Sequence, residues 1–130
     1  MRPAMYIFLN RKLGMSTGKA GAQTAHAAVE AYRISHSQML NAWYEGGHYC
    51  KLVMSAENAD QLSIIRHYLA ERGFNTKLII DEGRTEIEPF SVTALGVEVV
   101  DRDDPHVKAT FEGFKLYKDK KKKRKRRKKS

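Results

Sequence analysis

The chain has a single cysteine, Cys50, so no internal disulfide can form, which fits a reducing compartment. It has no long hydrophobic run. Its apolar stretches are strand-sized, far short of the ~20 residues needed to cross a bilayer, so no membrane span is expected. The start, Met1-Arg-Pro-Ala-Met-Tyr-Ile-Phe-Leu, lacks the apolar region and small-residue cleavage site of a secretory signal. These absences point to a cytoplasmic protein. Histidine is thinly spread: His26, His36, His48, His67 and His106 show no paired metal-ligand spacing, and no metal site is expected. Phosphate-loop and dinucleotide glycine fingerprints are missing too.

Charge of one sign is also missing, except in one place. The formal charge is +9, with 24 Lys+Arg against 15 Asp+Glu. Residues 118–130 (KDKKKKRKRRKKS) hold eleven of the cations and one aspartate, a net of +10. Residues 1–117 therefore carry 13 basic and 14 acidic residues, a net of −1. That division excludes a uniformly basic nucleic-acid-binding domain. It predicts a near-neutral domain over 1–117 and a polybasic tail over 118–130, kept disordered by like-charge repulsion. A body of 117 residues fits a single core.

Within that body, 4–10 reads as a buried strand and 11–18 as a loop ending in cap residues. A helix is predicted over 19–34, with Ala22, Ala25, Val29 and Tyr32 lining the face that would cover a sheet. A short helix is predicted over 37–45 and a strand over 48–55. The amphipathic stretch 58–72 places Leu62, Ile65 and Leu69 on one face and ends at Gly73. Strands over 74–81 and 91–100 flank a polar loop. A short helix over 103–112 is followed by a return of 114–117 to the body. The order β-α-α-β-α-β-β gives an α/β class with helices on the faces of a small mixed sheet.

Two clusters can carry chemistry. Lys19, Gln23 and His26 lie at i, i+4 and i+7 on one helix face, just after Gly18. Spacing alone is also met by a solvated face. The helix start, however, follows the end of the first strand, where α/β proteins bind ligands and where free N–H groups favour anions. The second cluster runs from Asp81 through Gly83, Arg84 and Thr85 to Ser91 and Thr93, again past a strand end. Asp before Gly is equally a turn former.

Taken together, Gly18-Lys-Ala-Gly-Ala-Gln23-Thr-Ala-His26, Asp81-x-Gly83-x-Thr85-x-Ile87 and Ser91-x-Thr93 resemble the peptidyl-tRNA hydrolases of the archaeal and eukaryotic type. The resemblance covers nearly all of 5–117. It implies a three-layer α/β/α sandwich with a small four-stranded mixed sheet. It implies hydrolysis of the ester between a peptide and the terminal ribose of tRNA, without a metal or other cofactor, recycling tRNA from aborted translation. Carried over residue by residue, the family's catalytic lysine, aspartate and threonine fall on Lys19, Asp81 and Thr85. Gln23 and His26 match motif positions near the same cleft, and Gly18, Arg84, Ser91 and Thr93 are the expected substrate contacts.

The sequence departs from the family at Thr17 (often lysine), Glu82 (usually alanine), Glu86 (usually glutamine) and Phe90 (usually glycine). Two added carboxylates would repel phosphate. These departures are the support for a different class, a non-enzymatic RNA-binding or regulatory protein on the same fold. A covalent route through Ser91 or Thr85 with His26 is open in principle, but no spacing demands it. The tail suits non-specific RNA contact, and equally a nuclear-localisation run, an anionic-membrane contact or a solubility segment. A homodimer is compatible with the sequence.

Overall fold

A computed structural model describes residues 1–82 and 90–118. Strand β1 (Pro3–Asn10) is buried along its whole length, as expected for a run apolar on both faces. A 3-10 turn (Arg11–Leu13) follows, then helices α1 (Thr17–Arg33) and α2 (Ser37–Glu45). Strand β2 (Lys51–Ala56), helix α3 (Ala59–Glu71), strands β3 (Thr76–Ile80), β4 (Val92–Val97) and β5 (Val100–Asp101), and helix α4 (Pro105–Phe111) complete the order.

The main sheet runs β2-β1-β4-β3. β1 is parallel to β2 and antiparallel to β4, and β4 is antiparallel to β3. It is the small mixed sheet expected, with β5 added as a two-residue ladder on the start of β1. Alternation along β1 splits the core. Met5, Ile7 and Leu9 pack with Ala27 and Ala31 of α1 and Trp43 of α2. Tyr6 and Phe8 pack with Leu62, Ile65 and Leu69 of α3 and with Val107 and Phe111 of α4. The result is an α/β/α sandwich. None of the described helices is long and apolar enough to cross a membrane.

The structure corrects three sequence expectations. The covered face of α1 is Lys19, Gln23, Ala27 and Ala31; Ala22 and Ala25 are exposed, as are Val29 (58%) and Tyr32 (40%). The true stripe opens with two polar residues, so an apolar pattern search passes over it. The helix backbone sits close on the sheet at Gly96 of β4, where an added Cβ would lie 2.5 Å from the Ala27 carbonyl oxygen and 3.3 Å from Ala31 Cβ. The strand predicted over 48–55 begins only at Lys51, because His48 and Tyr49 adopt positive φ (51° and 56°). Trp43 Nε1 donates to the Cys50 carbonyl across that turn. The long strand predicted over 91–100 breaks after Val97: Glu98 N donates to the Asn75 carbonyl and Val99 N to Ser35 Oγ.

Residues 114–117 do return to the body, alongside β2. Ser55 N donates to the Lys115 carbonyl and Tyr117 N to the Val53 carbonyl. The stretch 119–130 of the expected disordered tail lies outside the described residues.

Candidate active site

Because β1, β2 and β3 all point the same way, their C-terminal ends share one edge of the sheet with the start of β4. This is the edge at which open α/β sheets place ligands. β1 ends in Asn10, a buried polar residue held at both ends of its amide. Its Nδ2 donates to the Val92 carbonyl (2.9 Å), and its Oδ1 accepts from Lys12 N (3.0 Å). Asn10 thereby ties the β1–α1 loop to β4. Sequence alone marks it only as the end of a strand; a polar side chain closing a fully apolar run is the available signal.

The loop delivers α1 with Ser16 as N-cap, its Oγ accepting from Lys19 N (3.2 Å). Thr17 and Gly18 are exposed in the first turn, where backbone N–H groups have no intrahelical acceptor. Lys19 points back over the sheet. Its Nζ lies 2.7 Å from Asp81 Oδ2, and both side chains are buried, at 7% and 6% exposure. Asp81 directly follows β3, and its N–H donates to the Ser91 carbonyl, which fixes the start of β4 beside it.

One turn along α1, Gln23 is buried, and its Oε1 accepts from the Thr93 hydroxyl (2.6 Å). That bond leaves the Gln23 Nε2 group as its donor. Thr93 itself is wholly buried, so its reach in this structure is to Gln23 and not to solvent. Ser91 is half-buried and Gly18 exposed. His26 is exposed, about 10 Å along the helix axis from Lys19. Arg84 and Thr85 lie outside the described residues. Lys19, Gln23, Asp81 and Thr93 are thus brought together, and His26 stands apart.

Three of the four family departures are described. Thr17 and Glu82 are exposed. Phe90 is 73% exposed with φ at +62°, the left-handed region that glycine occupies without strain. Its N–H donates to the Asp81 carbonyl, which holds it there. The usual glycine at this position has a conformational reason. Among the described residues no group of three His, Cys, Asp or Glu could hold a metal ion.

An ammonium and a carboxylate sharing a buried edge with free helix-start N–H groups can orient a water and bind an oxyanion or phosphate. Comparison with known proteins points the same way. A family model described as Peptidyl-tRNA hydrolase PTH2 matches residues 4–117. The chain is 36% identical over 115 residues to Peptidyl-tRNA hydrolase 2, mitochondrial, of Mus musculus, covering 80% of this chain and 61% of the relative. It is 33% identical over 115 residues to the Homo sapiens protein of the same name, covering 80% and 62%. It is 34% identical over 108 residues to the Peptidyl-tRNA hydrolase of Thermococcus onnurineus, covering 77% of this chain and 91% of the relative. The chain thus spans about three fifths of the two mammalian relatives and nearly all of the archaeal one.

Proposed function

The chain belongs to the Peptidyl-tRNA hydrolase PTH2 family, and from that membership we propose that it hydrolyses the ester joining a peptidyl, or N-blocked aminoacyl, group to the terminal ribose of tRNA. The observation that carries the proposal is the buried 2.7 Å pair of Lys19 and Asp81 at the start of α1.

Water attacks the ester carbonyl, giving a tetrahedral intermediate with negative charge on oxygen. The C–O bond to the ribose then breaks, releasing free tRNA and a carboxylic acid. A lysine ammonium engaged with a carboxylate is a poor base and a good anion partner. Lys19 therefore stabilises the oxyanion or an adjacent phosphate, helped by the free N–H groups of Thr17 and Gly18. Asp81 positions the water, accepts its proton and returns it to the departing ribose oxygen as the C–O bond breaks. Gln23, locked by Thr93, presents Nε2 to the water or the ester, and Thr85 is assigned a hydrogen bond to the same water. Arg84 and Ser91 are assigned to substrate binding.

The polybasic run that begins at Lys118 supplies non-specific RNA contact, compensating for a domain whose own net charge is −1. The proposed compartment is the cytoplasm, where translation provides the substrate.

The test is release of free tRNA from N-blocked aminoacyl-tRNA in the presence of EDTA. The parent chain is expected to turn over. Lys19→Ala should slow it by ~10²–10³, the scale of a lost oxyanion donor, and Asp81→Asn should also be strongly impaired. No release by the parent, or a Lys19→Ala rate within threefold of it, overturns the reading.

A further inference from the structure

On the sheet edge that carries the Lys19–Asp81 pair, after the ends of β1 and β2, lies an open groove of about 940 Å³. Its walls carry Arg11 and Lys12 from the turn after β1, and Lys115 and Lys118 from the segment that runs along β2. All four are exposed, and none is in an ion pair among the described residues. Glu57 is the one carboxylate among the described lining residues, so cations outnumber it four to one. Three of them, Arg11, Lys12 and Lys115, belong to residues 1–117, whose net charge is −1, so their clustering around one groove, joined by Lys118, is a local exception to the charge balance.

Their placement has an order. Along this edge the sheet gives Asp81 after β3, Thr93 on β4, Asn10 and then Arg11 and Lys12 after β1, and Lys115 beyond β2. From Asp81 after β3 to the Lys115 segment is four strand spacings, about 19 Å. That distance matches roughly five to six nucleotides at a ~3.4 Å rise each. The chain passes from the groove at Lys118 straight into the cationic run.

We infer that this groove is the track for the sugar-phosphate backbone of the tRNA acceptor arm, running from the ester at Lys19 and Asp81 toward Lys115 and Lys118. The inference rests on the reading of the site as a peptidyl-tRNA hydrolase. Phosphates seated against Arg11, Lys12, Lys115 and Lys118 deliver the 3′ end to the catalytic pair.

The experiment uses the full chain and reads binding and turnover separately. Dissociation constants for deacylated tRNA are measured by fluorescence anisotropy across a salt series. Turnover of N-blocked aminoacyl-tRNA is measured on the same proteins. Lys12→Gln/Lys115→Gln is compared with Lys77→Gln/Lys108→Gln, two exposed lysines, on β3 and α4, that do not line the groove. The groove pair is expected to raise KM severalfold with kcat within twofold, and to lower the salt slope by about 1.5, some 0.7–0.9 per lost phosphate contact. The control pair is expected to leave both unchanged. Equal effects from the two pairs, or none from the groove pair, overturn the inference even where hydrolysis is normal. Should the parent fail to hydrolyse while the slope difference persists, the catalytic reading falls and the groove assignment stands.

Discussion

Lys19 and Asp81 are a buried ion pair, and such pairs are poor devices for stability. Desolvating both charges offsets most of their attraction, yet removing one partner strands the other. Asp81→Leu is therefore expected to lower the unfolding free energy by about 3 kcal/mol or more. Adding Lys19→Met should restore most of it, giving a chain near parental stability with no activity. Urea denaturation of the two variants checks this. A double variant as unstable as the single one would mean that the pair holds the fold together, and is not retained for its chemistry alone. Thr93 is a different kind of residue. It is fully buried and would act on the proposed reaction only through Gln23, whose Oε1 accepts from its hydroxyl. Thr93→Val keeps the shape and removes the hydroxyl, so kcat should fall about five- to tenfold, the value of one lost positioning hydrogen bond. Stability should fall by about 1–3 kcal/mol, because the buried Gln23 Oε1 loses its donor, and Thr93→Ser should restore both stability and rate. A Thr93→Val enzyme with parental kcat removes Thr93 from the positioning of Gln23.

At the scale of elements, α1 matters most, because it carries Lys19 and Gln23 and must sit close to the sheet for them to reach Asp81 and Thr93. Gly96 sets that closeness. A methyl group there meets the Ala27 backbone, which cannot swing aside as a side chain can. Gly96→Ala should cost about 1–3 kcal/mol by forcing helix and strand apart. Gly21→Ala, on the same helix but with open space around its Cβ, should instead stabilise by about 1 kcal/mol through helix propensity. Thermal melts of the two variants read this contrast directly, and opposite signs are the expected result. The same helix shows where sequence reading ends. The α2 limits and the Leu62, Ile65 and Leu69 stripe of α3 are legible because apolar side chains repeat at helical spacing, Gly46 closes α2, and Asn58 caps the start of α3. The covered face of α1 is not, since it opens with Lys19 and Gln23, two polar residues that pair with Asp81 and Thr93. The break at Glu98 and Val99 is not either, because their hydrogen bonds go to Asn75 and Ser35, partners distant in sequence. Lys19 and Asp81 are legible as candidates through the family motif. Their pairing at 2.7 Å, and the role of Asn10 in tying the loop to β4, need the sheet order that puts β4 between β1 and β3.

For the whole molecule the question is how residues 1–117, with a net charge of −1, would hold the proposed polyanionic substrate. The formal +9 resides almost wholly in 118–130, beyond the catalytic fold. Charge in such a run acts through counterion release, which raises affinity without selecting a sequence or a bond to cut. Holding and cutting are then separable. Ending the chain after Lys118 removes ten of the eleven cations while leaving Lys19, Asp81 and the groove in place. If ~6 of those charges engage phosphate, affinity in the full chain should fall as roughly the fourth power of salt, and the truncated chain should lose most of that dependence. KM should rise at low salt and converge with the full chain at high salt, where screening has already removed the contribution of the tail. The rate at saturating substrate should stay the same, because no tail charge is needed at the ester. Steady-state kinetics of both chains across a salt series decide the matter. A truncated chain with unchanged KM and unchanged salt slope would show that the tail serves something other than the substrate, and would leave the groove cations to hold tRNA alone.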